Sequence, residues 1–553
     1  MKNIFYLVLL LFFTHFPILT KAQLFAPKKT FSRTDSLKGR LTAIRSCYDV
    51  NFYHLDVKFD IQKRFITGSN LFQFTATQDF IKLQFDLFAN LDIDKIMYHG
   101  RELTYVREAN AVFVSFPQKI NKDSKDEFTV FYSGYPKVAK KAPMESGVVF
   151  AKDSLGYPLV ATACESQGAS IWWPNKDHLS DEPDSMLISV RVPKELKEVS
   201  NGRLRKVTEL KDGYKKFDWF VGNTINNYNV AVNIGNYAHY GDSYDGEKGR
   251  LTLDYWVLPY NLHRAKLDFG KNVKPLLKAY EHWFGPYPFY EDGYKLVETP
   301  YPAMEHQSAI SYGGYMKNGP KNELVGVKGG VKWDFVIVHE SSHEWFGNNI
   351  TATDLADLWI HEAFGNYAES LFIEEMHGKK AALDYIQANR AGVSNDRPVV
   401  GPYDVNQMGS GDVYAKGAVL LNSLRTIIND DEKWRGILRG LNKKFYHQTV
   451  TYSQVVDYVS IQSGKDLVPV FDQYLHYKSL PVLEITNKSG QLACRWIAEA
   501  QGFNMPVRVK VPGGEYQFIY PLDRFSPINI DGASLEAIEV DTSNFYLGIL
   551  KSI

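Results

Sequence analysis

The pattern of hydrophobic and polar positions changes twice along the chain. From about residue 45 to residue 258, apolar and polar residues alternate in short runs separated by turn residues, as in "FITGSNLFQFTA", "AVFVSFPQ" and "SMLISVRVP". Alternation with a period of two predicts strands that bury one face. A long series of such strands, ending with "GRLTLDYWVLPY", predicts a large antiparallel β sandwich or saddle-shaped sheet.

Near Asn261 the period changes to that of helices. "LHRAKLDFGKNVKPLLKAYEHWFG" has apolar residues at helical spacing, and Val331–Phe346 is a second candidate helix. A third, "DLADLWIHEAFGNYAESLFIEEMHG", has Asp354 as its predicted N-cap and Gly378 as its stop. Helical patterns continue to about residue 480. After Pro481 short strands return, as in "VLEITN" and "PVRVKV".

These changes predict a multidomain α+β protein. The chain has 553 residues, which is too long for one ordinary core. We expect an N-terminal β domain over residues 23–258, a mainly α domain over 259–480 and a small C-terminal β-sandwich-like module over 481–553. Because no linker rich in Pro, Gly or Ser separates them, we expect the domains to pack against one another.

The first 22 residues have the features of a secretory signal peptide. Lys2 is positively charged, Ile4 to Phe13 is a short apolar run, and residues 20–22 resemble a cleavage site that ends at Ala22. The apolar run is shorter than the roughly 20 residues that a spanning helix needs. The sequence therefore predicts an exported protein, periplasmic or secreted, without a stable membrane span; an uncleaved anchor is the alternative.

Composition excludes several classes of protein. Lys and Arg total 63, as do Asp and Glu, so there is no basic excess of the kind that nucleic-acid binding requires. Cys47, Cys164 and Cys494 are too few for a disulfide scaffold and allow at most one bridge. We expect all three to be small buried hydrophobic residues.

The stretch "VIVHESSHEWFGN" indicates a metal site. His339 and His343 are four residues apart, so a helix places them on one face, where two imidazoles suit Zn²⁺. Glu340 points away from the line of the imidazoles and lies beside the metal, where a carboxylate can take a proton from the attacking water. A pair of surface histidines is the alternative interpretation of the motif.

The third ligand distinguishes these interpretations. Glu362 lies on the next predicted helix, and eighteen residues separate it from His343. A helix-turn-helix arrangement would return it to the histidines and complete the His₂Glu set of a hydrolytic zinc site for one Zn²⁺. We expect the nearby Glu344 and Glu369 to be solvated or to support the ligands from behind.

The segment "HESSHEWFGNNITATDLADLWIHEAF" resembles the zinc signature of the M1 family of aminopeptidases, the gluzincin group that includes alanyl aminopeptidase and leukotriene A4 hydrolase. It departs from the family at His361 and Ala363, where Asn and Gly are usual. The resemblance implies a thermolysin-like catalytic domain. The family positions that the chain keeps are Trp345, Phe346, Gly347, Asn348, Asp357, Leu358, Trp359 and Glu362.

A second segment, "YPAMEHQ", resembles the exopeptidase motif of the same family. The match aligns Ala303, Met304 and Glu305, with Pro302 in place of Gly and His306 in place of Asn. By this resemblance Glu305 would hold the α-ammonium group of the substrate, and the backbone around Ala303 and Met304 would line the peptide.

Two further resemblances complete the predicted site. "ATACESQGA" is similar to the segment that supplies the family's second amine-binding carboxylate, which implies this role for Glu165, although Ala163 replaces the usual Gln. "DVYAKGAVLLNSLR" is similar to the helix start whose tyrosine stabilises the oxyanion, which implies that role for Tyr414. We expect Lys416 to be structural or to aid the local electrostatics.

Together these features predict an exported zinc metallo-aminopeptidase. It would hydrolyse the N-terminal residue from peptides with a free N-terminus, by means of zinc-activated water. Two alternatives stay open: a thermolysin-type zinc endopeptidase, and a catalytically inactive binding protein with the M1 fold.

Overall fold

The computed structural model describes residues 30–315, 333–488 and 491–552. The predicted signal peptide lies outside these residues, as do the first two positions of the helix predicted from Val331. The described elements are β-rich, then helix-rich, then β-rich again, which confirms the predicted multidomain α+β fold. The domain boundaries stay predictions.

The N-terminal unit consists of strands preceded by two short helices, α1 (Arg33–Gly39) and α2 (Ala43–Ser46). Its strands are β1 (Tyr48–Asp60), β2 (Phe65–Ala76), β3 (Phe80–Asp86), β4 (Leu91–Tyr98), β5 (Arg101–Glu102), β6 (Tyr105–Glu108), β7 (Ala111–Ile120), β8 (Lys125–Gly134), β9 (Gly147–Lys152), β10 (Pro158–Ala163), β11 (Ser185–Pro193), β12 (Lys197–Val199), β13 (Arg203–Glu209), β14 (Tyr214–Val221) and β15 (Asn233–Gly235).

These strands form a large sheet with smaller sheets beside it. The large sheet has eight strands in the order β13-β14-β11-β1-β2-β8-β4-β5, and the smaller ones have the orders β12-β15-β10-β9 and β3-β7-β6. Pairing is antiparallel as predicted, except that β1 and β11 are parallel. Alternate residues of β1, including Tyr53, Leu55 and Val57, are buried, because one pleat face covers a core that contains many aromatic rings.

The second unit adds helices to a mixed sheet. Its strands are β16 (Ala238–Gly246), β17 (Gly249–Val257), β18 (Tyr294–Glu298), β19 (Ala303–Met304), β20 (Ile310–Tyr312), β21 (Ile350–Ala352) and β22 (Gln448–Val450). Its helices are α3 (Leu262–Phe284), α4 (Phe335–Ser342), α5 (Trp359–His377), α6 (Lys379–Arg390), α7 (Ala415–Ile428), α8 (Asp431–Lys444), α9 (Tyr452–Ser463) and α10 (Val468–Leu475).

Strand β17 differs from its prediction as the last strand of the N-terminal sheet. It pairs in parallel with β18, and β16-β17-β18-β20-β19 form one five-stranded sheet. Its buried residues Leu251, Leu253 and Tyr255 belong to the same core as α3 and α5. The alternating pattern indicates a half-buried strand, but it does not indicate which core the buried face meets.

Two helix ends also differ from the predictions. Helix α4 ends at Ser342, so His343 is its C-cap residue rather than an internal one. Asp354 caps a short 3-10 helix, Leu355–Asp357, by accepting a hydrogen bond from the Ala356 amide, and α5 starts only at Trp359. Gly378, with φ of 87°, ends α5 as predicted, because that left-handed backbone favours glycine.

The C-terminal module is a pair of small sheets. Its strands are β23 (Val482–Lys488), β24 (Gln491–Ile497), β25 (Val507–Lys510), β26 (Gln517–Ile519), β27 (Ser526–Pro527), β28 (Glu539–Val540) and β29 (Gly548–Ser552). The sheet orders are β27-β24-β23-β29 and β26-β25-β28. Buried residues such as Leu483, Trp496 and Met505 join the core of the second unit, so the module packs against it as expected.

The three cysteines agree with the prediction made from the composition. Cys47, Cys164 and Cys494 are free and buried, as predicted for small hydrophobic residues. No described helix combines the length and the apolar character that crossing a membrane requires.

Candidate metal centre and catalytic cleft

The end of helix α4 brings the two motif histidines together. Asp334 caps the start of this helix through its side chain, which accepts a hydrogen bond from the Ile337 amide. His339 lies in the last turn and His343 is the C-cap residue, so one helical turn separates them. Their Nε2 atoms are 3.3 Å apart, and both side chains are buried.

Helix α5 supplies the third ligand. Glu362 lies in its first turn, and its Oε2 is 3.6 Å from His339 Nε2 and 3.7 Å from His343 Nε2. Tetrahedral Zn²⁺ with bonds of about 2.0–2.1 Å holds its ligand atoms about 3.3 Å apart, so the triangle fits this ion. Among the described residues, Glu362 Oε2 has no hydrogen-bond partner despite its burial, as expected of an atom kept for a metal.

Hydrogen bonds from behind orient both imidazoles. His339 Nδ1–H donates to Glu369 Oε1 over 2.7 Å, and His343 Nδ1–H donates to the carbonyl oxygen of Phe346 over 3.0 Å. Both Nε2 lone pairs therefore face the centre of the site. Glu369 also accepts hydrogen bonds from Asn366 Nδ2, at 3.0 Å, and from the Tyr385 hydroxyl. Glu369 is completely buried, so it supports the ligand His339 from behind rather than facing solvent.

Glu340 is buried beside the ligands. Burial raises the pKa of its carboxyl to about 8; His339 lowers this pKa, whereas the nearby charges of Glu305 and Glu362 raise it. Glu340 and Glu305 are therefore close enough for their charges to interact. A dication at the three ligands would favour the ionised form of every carboxylate around it.

Glu305 follows the edge strand β19, whose residues Ala303 and Met304 pair with Tyr312 and Ser311. Its carboxylate accepts a hydrogen bond from the Tyr228 hydroxyl over 3.2 Å. Burial is the main cause that raises the pKa of Glu305.

Two asparagines fix the backbone of Glu305. Asn348 Nδ2, five positions after His343, donates to the Glu305 carbonyl oxygen over 2.9 Å. Asn229 Nδ2 of the N-terminal unit donates to Asn348 Oδ1 over 2.8 Å. These bonds link the end of α4, the Glu305 segment and the N-terminal unit.

Glu165 approaches the site from the N-terminal unit, in a turn after β10. Removal from water raises the pKa of its carboxyl well above the usual range, and Glu305, Glu362 and Glu340 raise it further. The cleft between the two units therefore contains four carboxylates, all close enough to interact.

Tyr414 lies at the start of α7, and its ring centre is 6.1 Å from that of His339. The lysine two positions later, Lys416, is buried and donates to the Tyr477 carbonyl oxygen over 2.9 Å. This bond fixes α7 to the chain after α10, which agrees with the structural role expected of Lys416.

Two residues that depart from the family pattern are buried histidines. His361 Nε2 accepts a hydrogen bond from the Ala352 amide over 2.8 Å, and His306 Nδ1 lies 3.1 Å from Ser311 Oγ. Burial lowers the pKa of each to about 3, so both imidazoles are neutral.

Sequence reasoning missed Tyr228 and undervalued Glu344. Tyr228 is one of 34 tyrosines, and nothing in its local pattern distinguishes it. Glu344 is fully buried; it accepts hydrogen bonds from the Ser308 amide, at 2.8 Å, and from the Tyr287 hydroxyl, at 3.1 Å. It thereby fixes the chain three residues after Glu305.

Comparison with known proteins agrees with this geometry. A Peptidase family M1 domain matches residues 270–474. The chain is 23% identical to the leucyl aminopeptidase of Saccharolobus solfataricus over 454 residues, which are 79% of this chain and 54% of the relative. It is also 23% identical to probable aminopeptidase 2 of Sulfurisphaera tokodaii over 507 residues, 84% of this chain and 63% of that relative. The chain thus spans less than two thirds of these curated relatives.

Solved structures show the same fold. A mutant of the M1 zinc metallopeptidase of Deinococcus radiodurans bound to a Tyr-Ser-Ala substrate superposes with a TM-score of 0.64 at 19% identity, covering 79% of this chain and 95% of the other. A two-domain M1 zinc metallopeptidase mutant bound to L-tryptophan gives a TM-score of 0.67 at 19% identity, with coverage of 81% and 99%.

The bond from His339 to Glu369 gives a prediction about metal affinity. We expect Glu369→Gln to lower zinc affinity roughly 10–100-fold, because the imidazole loses the charged acceptor that orients it and raises its basicity. Competition with a chromophoric chelator measures the change. Glu375→Gln, on the same helix but half-exposed and away from His339, is the control; equal affinities of the two variants would contradict the role of Glu369.

Proposed function

Because the chain belongs to the M1 family of zinc peptidases, we propose that it is a zinc-dependent aminopeptidase that removes the N-terminal residue from peptides. One observation is decisive for this proposal. The carboxylates of Glu305 and Glu165 share the cleft with a complete His₂Glu ligand set and with Glu340. An endopeptidase binds a chain that has no free amine at this position, so two carboxylates without a cationic partner would disfavour its substrate.

His339, His343 and Glu362 would hold the Zn²⁺ ion, with the orientation that Glu369 and Phe346 impose on the imidazoles. When bound, Zn²⁺ supplies Lewis-acid polarisation of a carbonyl group and of a water molecule. The protein contributes the positions of the acid, the base and the substrate.

Glu340 is the proposed general base. It follows His339 directly in the chain, so its carboxylate lies beside the ligands without belonging to their triangle. In the proposed reaction it takes a proton from the attacking water and passes it to the nitrogen of the leaving amine.

Glu305 and Glu165 are the proposed anchors of the substrate ammonium group. An ammonium ion donates up to three hydrogen bonds, and its positive charge compensates the negative charge of the carboxylates. Anchoring it holds the first peptide carbonyl at a fixed distance from the catalytic groups, which favours removal of one residue at a time. Tyr228 restrains Glu305 through its hydroxyl, and the backbone at Ala303 and Met304 would line the peptide.

Tyr414 is the proposed donor to the oxyanion. Its position beside His339 agrees with a hydroxyl that reaches the carbonyl oxygen as negative charge develops there.

The general-base assignment gives a prediction. Glu340→Gln should retain zinc but lower kcat roughly 10²–10⁴-fold, because glutamine is nearly the same size and cannot accept the proton. The assay uses an aminoacyl p-nitroanilide, together with metal analysis of each variant. The exposed Glu432→Gln is the control, and a chelator should abolish the activity of the parent until zinc is restored. Near-normal turnover of Glu340→Gln would refute the mechanism.

The amine anchors give a prediction that separates this function from its alternatives. We expect N-acetylation of a peptide to reduce kcat/KM at least about 100-fold, and Glu305→Gln to weaken only the binding of peptides with a free amine, because a charged hydrogen bond contributes about 1.5–3 kcal/mol. Mass spectrometry of digests measures both. Equal cleavage of blocked and free peptides would favour an endopeptidase, and cleavage of neither would favour a binding protein.

We also propose that the protein is exported, on the basis of the charged start, apolar run and cleavage site in residues 1–22. The expected product begins at Gln23. N-terminal sequencing of protein secreted by a bacterial host tests this, with a Lys2→Glu variant as a control that should reduce export. A product that retains Met1 in the cytoplasm would contradict the proposal.

A further inference from the structure

The chain segment before the first sheet approaches the catalytic cleft. This N-terminal segment, defined here as residues 33–46, contains α1, α2 and the link between them. Helix α1 is capped by Ser32 and Asp35 in a capping box, but none of its residues is buried. Apolar packing therefore does not fix α1, and its position must depend on polar contacts.

The buried side chain of Arg45 holds the end of α1. Its Nη2 donates to Asp86 Oδ2 and to the Asp177 carbonyl oxygen, each over 2.6 Å. Its Nη1 donates to the carbonyl oxygens of Leu37, over 3.4 Å, and Lys38. One fully buried guanidinium thus joins the C-terminal carbonyls of α1 to the N-terminal sheet unit.

Asp177 connects α1 to the turn that contains Glu165. The ammonium group of Lys38 forms an ion pair with the Asp177 carboxylate, whose Oδ2 also accepts hydrogen bonds from the amide of Ser170, at 3.0 Å, and from its hydroxyl. The turn itself is closed by the Gly168 amide, which donates to the Cys164 carbonyl oxygen over 2.7 Å.

The Gly168 backbone lies directly on Asp177. A Cβ added to Gly168 would be 2.2 Å from Asp177 Oδ1, so this part of the turn and the carboxylate are in contact. Any movement of Asp177 would therefore be transmitted to the turn between Cys164 and Gly168, in which Glu165 is the second residue.

The N-terminal segment also touches the catalytic unit. A Cβ on Gly39 would lie 2.3 Å from the carbonyl carbon of Val405, so the two backbones are in direct contact. His178 fixes this point from the other side, with its Nε2 3.1 Å from the Gly39 carbonyl oxygen. Lys38 and Gly39 line one cavity together with Glu165, Tyr228, Thr353 and Val405.

We propose that the N-terminal segment is one wall of the substrate cleft and that Lys38 is a positioning residue for substrate-amine recognition. Lys38 holds Asp177, Asp177 holds the turn from Cys164 to Gly168, and the turn holds Glu165 towards the substrate ammonium. This inference rests on the proposed aminopeptidase function, because it explains what fixes the position of Glu165, one of the two proposed amine anchors.

A pair of inhibitors that differ only in the amino group tests the role of Lys38. Leucine hydroxamate has the α-amine, whereas isocaproyl hydroxamate lacks it, and both bind a zinc site through the hydroxamate. The ratio of their inhibition constants measures amine recognition alone. In Lys38→Met we expect this ratio to fall about fivefold or more, through weaker binding of the amine-bearing compound only. KM for free peptides should rise, with kcat changed less than about twofold.

The controls separate positioning from folding. Lys38→Arg keeps the ion pair and should keep the ratio, whereas Arg33→Met removes an exposed ion pair from the same helix and should change nothing. If Lys38→Met has a lower melting temperature than the parent, the milder variant Lys38→Gln is used, and the ratio of inhibition constants should again fall. A parent protein that does not distinguish the two hydroxamates would refute the proposed function. A parent that does, with Lys38→Met and Lys38→Gln unchanged, would refute only the role of Lys38.

Discussion

Repulsion among the carboxylates of Glu305, Glu340 and Glu362, which are buried, and Glu165, which is partly buried, is the constraint on which the site depends. Glu305, Glu340 and Glu362 raise the pKa of Glu165, and Glu305 and Glu362 raise that of Glu340. Removal from water disfavours the ionised form of all four, and only at Glu362 do neighbouring histidines outweigh it and lower the pKa. Such a cluster is stable in its ionised form only when cations share the cleft. A dication at one end and an ammonium group at the other satisfy this requirement, so the charge pattern of the protein matches the charges of its proposed ligands.

The fold supplies the cluster by bringing carboxylates from separate elements to one place. Glu340 and Glu362 come from α4 and α5, Glu305 follows an edge strand, and Glu165 comes from a turn of the N-terminal unit. Buried amides and hydroxyls hold them: Asn348 and Asn229 cross between the units, and Tyr228 contacts Glu305 directly. The two units must therefore keep a fixed relation for the carboxylates to act together.

The sequence predicts the parts of this arrangement that depend on local spacing. A separation of four residues places two imidazoles on one helical turn, and alternation or helical periodicity identified most long strands and helices. The periodicity of a strand does not show which strand it pairs with. The sequence therefore predicts β17 as the last strand of the N-terminal sheet, whereas it pairs with β18. Residues such as Tyr228 and Lys38 act through contacts 77 and 139 positions away, so no local pattern reveals them.

The histidines that replace family asparagines show how the site tolerates change. An asparagine side chain offers both a hydrogen-bond donor and an acceptor, and a neutral imidazole offers one of each. His361 uses Nε2 as the acceptor for the Ala352 amide, which assigns its proton to Nδ1. Because burial keeps its pKa and that of His306 near 3, neither adds positive charge to a cleft whose carboxylates must attract a metal ion and an ammonium group. Each imidazole thus keeps one donor and one acceptor of the asparagine amide and adds no charge beside Glu305 and Glu362.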